Sequence, residues 1–273
     1  MSSNLLGDEI EDILRSAFEN ADGELLVVDP SADVLESLVD LGPTLEDELP
    51  PLKLLADERL LKDVMDDFLV ASSAADLVER GDLEIRTLEG DADNSLLLTE
   101  ERVVAVVTAG DHVAGLTTED EAFVESALET YREQFAAADE YNLRTPGISR
   151  VRETMEDSIG EGPRADFDSV LSSLETARGD GDGLDEVTIT LLVAAKNDVL
   201  LYDISKWGED VGIASKATFS RTKTRLEELG LIDTEKVPID VGRPRLRLKL
   251  GDDRLRETEA DELASVAQSM IAS

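Results

Sequence analysis

The sequence predicts an α/β N-terminal domain on a mixed sheet, then a C-terminal winged helix-turn-helix domain and a terminal helix. Three observations predict it. Short apolar runs alternate with helix-period segments through the first 140 residues. A turn containing Gly212 separates two short helical patterns, and a strand pair follows them, its second strand strictly alternating. Positive charge, scarce elsewhere, gathers on the second of those helices and on the last strand.

The chain has 273 residues, enough for about two domains at roughly 150 residues each. It holds 63 Asp and Glu against 26 Lys and Arg, a formal net charge of −37. That excludes a generally basic nucleic-acid binder. The carboxylates are spread along the whole chain, so no acidic tail accounts for them. Such a spread, with few aromatics and no cysteine, fits a halophile's salt-accumulating cytoplasm. Screening there is short, roughly 3 Å at about 1 M salt, and self-repulsion becomes tolerable. The absence of cysteine excludes disulfides and thiolate sites. No apolar run is long enough to span a membrane. The N-terminus carries acids where a signal peptide needs bases, so a cytoplasmic protein without membrane contact is expected.

Within residues 1–140, positions 4–20 read as an amphipathic helix through Leu5, Leu6, Ile10, Ile13, Leu14 and Phe18. "ELLVVD" (24–29) is a buried strand closed by Pro30. "SADVLESLVDLG" is a helix capped by Ser31 and stopped at Gly42. "LKLLAD" (52–57) is a strand, and one long helix over 58–80 ends at Gly81. Strands follow at 83–89, 95–100 and 102–109, with Glu100 and Glu101 at a turn, then an acidic helix over 119–139. Early strands separated by helices predict parallel pairing; the late, closely spaced ones predict antiparallel pairing. This domain is expected to be a sensor or dimerisation module, with a small-molecule or metabolite effector as the partner a sensor would need.

Residues 141–183 read as a helical linker, with helices at 148–159 and 165–178. "DGDGLDE" (180–186) lacks the acid spacing of a calcium loop and reads as linker. Residues 184–250 carry the winged helix-turn-helix: helices at about 185–197, 201–210 and 215–229, then a strand pair closing on "RPRLRLKL" (243–250). Trp207 reads as a core or interface residue. Residues 251–273 hold the terminal helix, whose apolar side (Leu255, Leu263, Val266, Ala267, Met270) must pack on its own domain or on a second copy. A homodimer is expected, since helix-turn-helix proteins reach two half-sites in pairs.

At 100° per residue, Phe219, Thr222, Leu226 and Leu229 form the inward stripe of the third helix. Ala217, Ser220, Arg221, Thr224 and Arg225 fall on the opposite side. Ser215 should cap the helix, and Lys216 and Thr218 lie in its first turn. Hydroxyls and guanidiniums on a small-residue face suit phosphates and base edges in a major groove. In the last strand Arg245, Arg247 and Lys249 share one face and Leu246, Leu248 and Leu250 the other, with Arg243 at the turn. The partner so implied is double-stranded DNA at a promoter or operator.

The stretch "IASKATFSRTKTRLEELGLI" followed by a basic wing resembles the winged-helix domains of archaeal and bacterial regulators, over about 65 residues. With an α/β domain first, the whole chain is similar to the haloarchaeal TbsP family, regulators named as suppressors of the sugar-responsive regulator TrmB. The resemblance implies a transcriptional regulator near central-metabolism control. Glu227 and Glu228 depart from a uniformly basic helix and lower its attraction to phosphate at that end. A different reading is an α/β receptor or enzyme that uses the winged helix for protein contacts. Against it, no dinucleotide, P-loop or nucleophile-elbow motif is found, and the one histidine, His112, stands alone, so neither catalysis nor a cofactor is expected.

Overall fold

A computed structural model describes residues 5–7, 10–21, 23–45, 49–88, 90, 94–110, 112–178, 183–238 and 244–272. The chain divides into two compact units, Met1–Asp66 with Ser73–Leu143, and Asp67–Ser72 with Arg144–Ser273.

The first unit runs β1 (Leu5–Gly7), α1 (Ile10–Glu19), β2 (Leu25–Val28), α2 (Ala32–Leu45), β3 (Leu52–Asp57) and α3 (Glu58–Val64). After α4 (Phe68–Arg80) come β4 (Leu83–Leu88), β5 (Leu96–Leu98), β6 (Val103–Ala109), β7 (His112–Thr118), α5 (Glu121–Ala137) and β8 (Asp139–Glu140). One mixed sheet has the order β1-β7-β6-β5-β2-β3-β4-β8. β2, β3 and β4 pair in parallel, because helices α2 and α3–α4 return the chain between them. All other neighbours are antiparallel. β2 is buried on both faces, which is why it reads as an unbroken apolar run.

α5 lies over one face through Val124, Leu128 and Phe135, against Leu26, Val28, Leu55, Leu98 and Val103. Arg86 closes its far end by donating to the carbonyls of Phe135, Ala136 and Ala138, where a helix leaves acceptors unmet. Glu24 ties its flank through Arg132 (2.7 Å) and β3 through Lys53 (2.5 Å). Burial pushes the Glu24 carboxyl up, but the hydrogen bonds from both cations outweigh it and hold the group below its ordinary value.

Several expected elements differ. Positions 5–7 form a strand beside β7, and the first helix begins only at Ile10. β7 lies in a stretch whose two glycines, Gly110 and Gly115, obscure the strand pattern. α2 continues through Gly42 and Pro43. Gly42 is a contact rather than a stop, since a Cβ there would meet the Leu77 side chain at 2.8 Å. The expected helix over 58–80 breaks at Met65–Asp67, and Asp67 accepts from the Leu69 N–H as α4 restarts. Residues 180–182 of "DGDGLDE" lie outside the described residues, and Asp185 at its far end accepts from the Thr188 N–H at 2.7 Å.

The second unit has α6 (Ile148–Ser158), α7 (Glu161–Ser172), α8 (Glu186–Lys196), α9 (Leu201–Val211), α10 (Lys216–Glu228), β9 (Ile232–Val237), β10 (Arg245–Leu250), α11 (Asp253–Arg256) and α12 (Ala260–Ile271). Every residue of α8 from Val187 to Ala195 is buried, so this helix is the axis of the core, with the others around it. β9 and β10 form the antiparallel wing, in register from Ile232↔Leu250 to Val237↔Arg245. The terminal segment is two helices, not one, and its apolar side is spent within the unit: Leu255, Leu263 and Ala267 belong to the same core. Trp207 is a core residue, and its indole N–H donates to Thr154 of α6 at 3.1 Å.

Asp67 is buried in this unit and accepts from the Thr176 hydroxyl (2.5 Å) and the Ala177 N–H (3.1 Å). Asp67→Ala strands those donors. It should lower unfolding free energy by about 2–4 kcal/mol in denaturant titrations, more than a surface Asp→Ala.

Candidate nucleic-acid interface

Two helices and a hairpin build the candidate interface. α9 ends at Gly212, left-handed at φ 100°, and its last turn closes when the Gly212 and Ile213 N–H groups donate to the Gly208 carbonyl. Ser215 then caps α10 by accepting from the Thr218 N–H at 3.2 Å, as its sequence position predicts. α10 leaves through Leu229 and Gly230, the latter at φ 72°.

The crossing of α9 and α10 is set by one contact. A Cβ on Gly208 would sit 2.4 Å from two ring atoms of Phe219, so only glycine lets the ring in. Phe219 and Leu226 are buried and Thr222 is half-buried. Leu229 is 39 % exposed and does not continue the inward stripe, because the helix ends there and Leu231 takes the core position after the turn.

On the opposite side Ala217, Ser220, Arg221, Thr224 and Arg225 are all exposed. The Arg221 guanidinium donates to the Thr218 hydroxyl at 3.3 Å, and the Thr224 hydroxyl donates back to the Ser220 carbonyl at 3.1 Å. Arg221 and Arg225 make no ion pair among the described residues. Lys216 differs: it pairs with Glu209 of α9 through both its ammonium and its backbone N–H. Hydrogen bonds from Lys216 hold the Glu209 carboxyl below its ordinary value, and the Glu209 hydrogen bond raises the Lys216 ammonium. Glu227 is engaged within the domain, since it accepts from Lys223 (2.7 Å) and from Thr234 of β9 (3.0 Å). Glu228 is exposed.

Arg245, Arg247 and Lys249 of the wing are half-buried, and two of them are pre-engaged with carboxylates. Arg245 reaches Asp203 at 3.3 Å and lies 4.4 Å over the Tyr202 ring, both at the start of α9. Lys249 reaches Asp198 at 2.6 Å. Arg247 sits between them, opposite Leu200, and its Nε has no hydrogen-bond partner among the described residues. Arg243 lies outside the described residues. Asp198, Asp203 and Glu209 thus pair with cations of the candidate interface, though nothing in their sequence positions marks them. They meet their cations only through the packing of α8 and α9 on the wing and on α10.

Elsewhere, no cluster of His, Asp and Glu among the described residues could hold a metal ion, and none of their helices is long and apolar enough to cross a membrane. His112 is exposed at the start of β7.

Two family models match nearly the whole chain: "Transcriptional regulator TbsP-like, N-terminal" over residues 2–146, and "Transcriptional regulator TbsP-like, C-terminal HTH domain" over residues 147–268. No curated protein sequence matches. Among solved structures, the archaeal chromatin protein TrmBL2 aligns at TM-score 0.39 and 21% identity, over 51% of this chain and 54% of that one. The phospholipase D family member Nuc from Salmonella typhimurium aligns at TM-score 0.37 and 14% identity, over 51% of this chain and 98% of its own. The alignment spans about half the length of TrmBL2.

Gly208→Ala should lower the stability of the second unit by about 1–3 kcal/mol, the usual range for overpacking. Adding Phe219→Leu, which clears the ring, should make the two changes less damaging together than their sum. A double-mutant cycle in denaturant measures this.

Proposed function

The chain belongs to the TbsP-like transcriptional regulators, and from that premise we propose that it binds operator DNA sequence-specifically as a homodimer and controls genes of central sugar metabolism in a salt-accumulating cytoplasm. The observation that carries the reading is the exposed side of α10. In a chain of net charge −37, this side holds two arginines without a carboxylate partner among the described residues, flanked by hydroxyls and alanine. Arg221 and Arg225 enter the major groove with Thr218, Ser220 and Thr224, and the N-terminus of α10 at Ser215 and Lys216 faces a phosphate. Arg243, Arg245, Arg247 and Lys249 follow the backbone beside it.

Intramolecular pairing changes how such contacts respond to salt. Lys216, Arg245 and Lys249 start out neutralised by Glu209, Asp203 and Asp198. When a phosphate takes one of these cations, the freed carboxylate gathers a solvent cation. Each such contact then releases less net salt than the usual slope of about −0.9 per phosphate. Binding therefore survives at salt concentrations that strip an ordinary reader. A cavity of about 410 Å³ between α6 and α9, with Trp207 and Asp203 in its wall, is of metabolite size and offers an effector a route to Arg245.

The test uses genomic duplex fragments recovered by crosslinking the chain to DNA. Arg221→Ala should weaken binding by about 1–3 kcal/mol and relax one base position. Glu209→Gln should tighten binding and steepen its salt dependence, because Lys216 then meets DNA unpaired. Wild-type affinity in Arg221→Ala would show that α10 does not read bases.

A further inference from the structure

The hairpin of β6 and β7 breaks the charge rule of the chain. Residues 103–118 hold one carboxylate, Asp111, and no Lys or Arg, although 63 of the 273 residues are acidic. The hairpin is not shielded by burial. Its register places Ala105 opposite Leu116 and Val107 opposite Ala114, on the same face as Val103. α5 packs on that face at Val103. Beyond it Val107 is 43 % exposed and Leu116 48 %.

α5 itself is divided. Glu121, Glu125 and Glu129 line a groove with Glu100, Glu101 and Glu119, at the Val103 end of the hairpin. At helical spacing, the other flank carries Phe123, Ala127, Thr130 and Gln134 and no charge. Phe123 is 55 % exposed, more than any other large apolar side chain among the described residues. The bare apolar sheet face of the hairpin and the uncharged flank of the helix that follows β7 directly in sequence are both neutral in a strongly anionic molecule, and together they make the candidate surface.

We propose that this surface joins two copies of the chain through their N-terminal units. Charge selects the occupant. A basic partner would settle on the glutamate groove. A second copy, equally anionic, is repelled wherever carboxylates face each other, and this surface lets it approach without that penalty. A two-fold contact places the same patch on both sides, Leu116 and Phe123 meeting their counterparts. High salt favours the contact twice, by screening the remaining repulsion and by leaving apolar burial intact. The inference deepens the dimer part of the function proposed above, and its test is separable from the DNA part.

Sedimentation of the full chain in molar KCl should give a dimer. Val107→Glu combined with Leu116→Glu should weaken self-association by about a hundredfold or more, because carboxylates would be buried unpaired. The chain has no cysteine, which supplies a second readout independent of those variants' folding. Leu116→Cys should be captured as a covalent dimer by a short bis-maleimide, and Glu125→Cys in the acidic groove should not. A monomeric wild type, an unchanged dimer in the double variant, or capture at position 125 but not 116 would overturn the surface. If any of these results came with retained operator binding, the DNA reading would stand while this one fell. A dimer that holds no duplex would leave the surface standing and remove the DNA reading.

Discussion

The fit of Phe219 into the space left by Gly208 fixes what the second unit can do. It brings α9 and α10 closer than any side chain on residue 208 would allow, and it turns the rest of α10 outward. Once Phe219 and Leu226 are committed to the core, the 100° spacing leaves Ser220, Arg221, Thr224 and Arg225 no other place than the surface. The buried axis α8 supplies the floor for this arrangement, and the wing closes on it through Leu248 and Leu250.

Electrostatics acts on that frame selectively. Carboxylates dominate the chain, yet within the helix-turn-helix they are assigned to particular cations: Glu209 to Lys216, Asp203 to Arg245, Asp198 to Lys249 and Glu227 to Lys223. These are exposed or half-exposed pairs, so each adds little to stability. Their effect is on the field. They lower the positive potential of the wing and leave the two arginines of α10 as its sharpest feature. The same economy of charge appears in the first unit, where the acids of α5 crowd one flank and vacate the other.

Much of the fold was legible because burial writes periodicity into sequence. The short apolar runs became β2, β3, β5 and β6, and the apolar stripes of α5, α6, α8, α9 and α10 became helices within a few residues of their expected ends, whereas α7 (Glu161–Ser172) lies ahead of the 165–178 expected for it. Failures came where local pattern and tertiary role part company. Leu5 and Leu6 share a helical spacing with Ile10, but pairing with β7 draws them into a strand. Gly42 carries the signature of a helix end and is instead a contact with Leu77. Asp67 breaks a continuous helical pattern because a buried carboxylate needs the donors of residues 69, 176 and 177. At the interface, the outward face of α10 followed from spacing alone. The carboxylates that hold Lys216, Arg245 and Lys249 did not, since no sequence interval encodes which acid a fold will bring to a given base.

The proposed DNA binding depends on α10 presenting its arginines to the duplex, and arginine side-chain NMR tests this most directly. The Nε–Hε signals of Arg221 and Arg225 should shift on addition of an operator duplex, while those of Arg86 and Arg132, engaged within the first unit, stay in place. Shifts confined to Arg86, Arg132 or Arg152, with Arg221 and Arg225 unmoved, would contradict it.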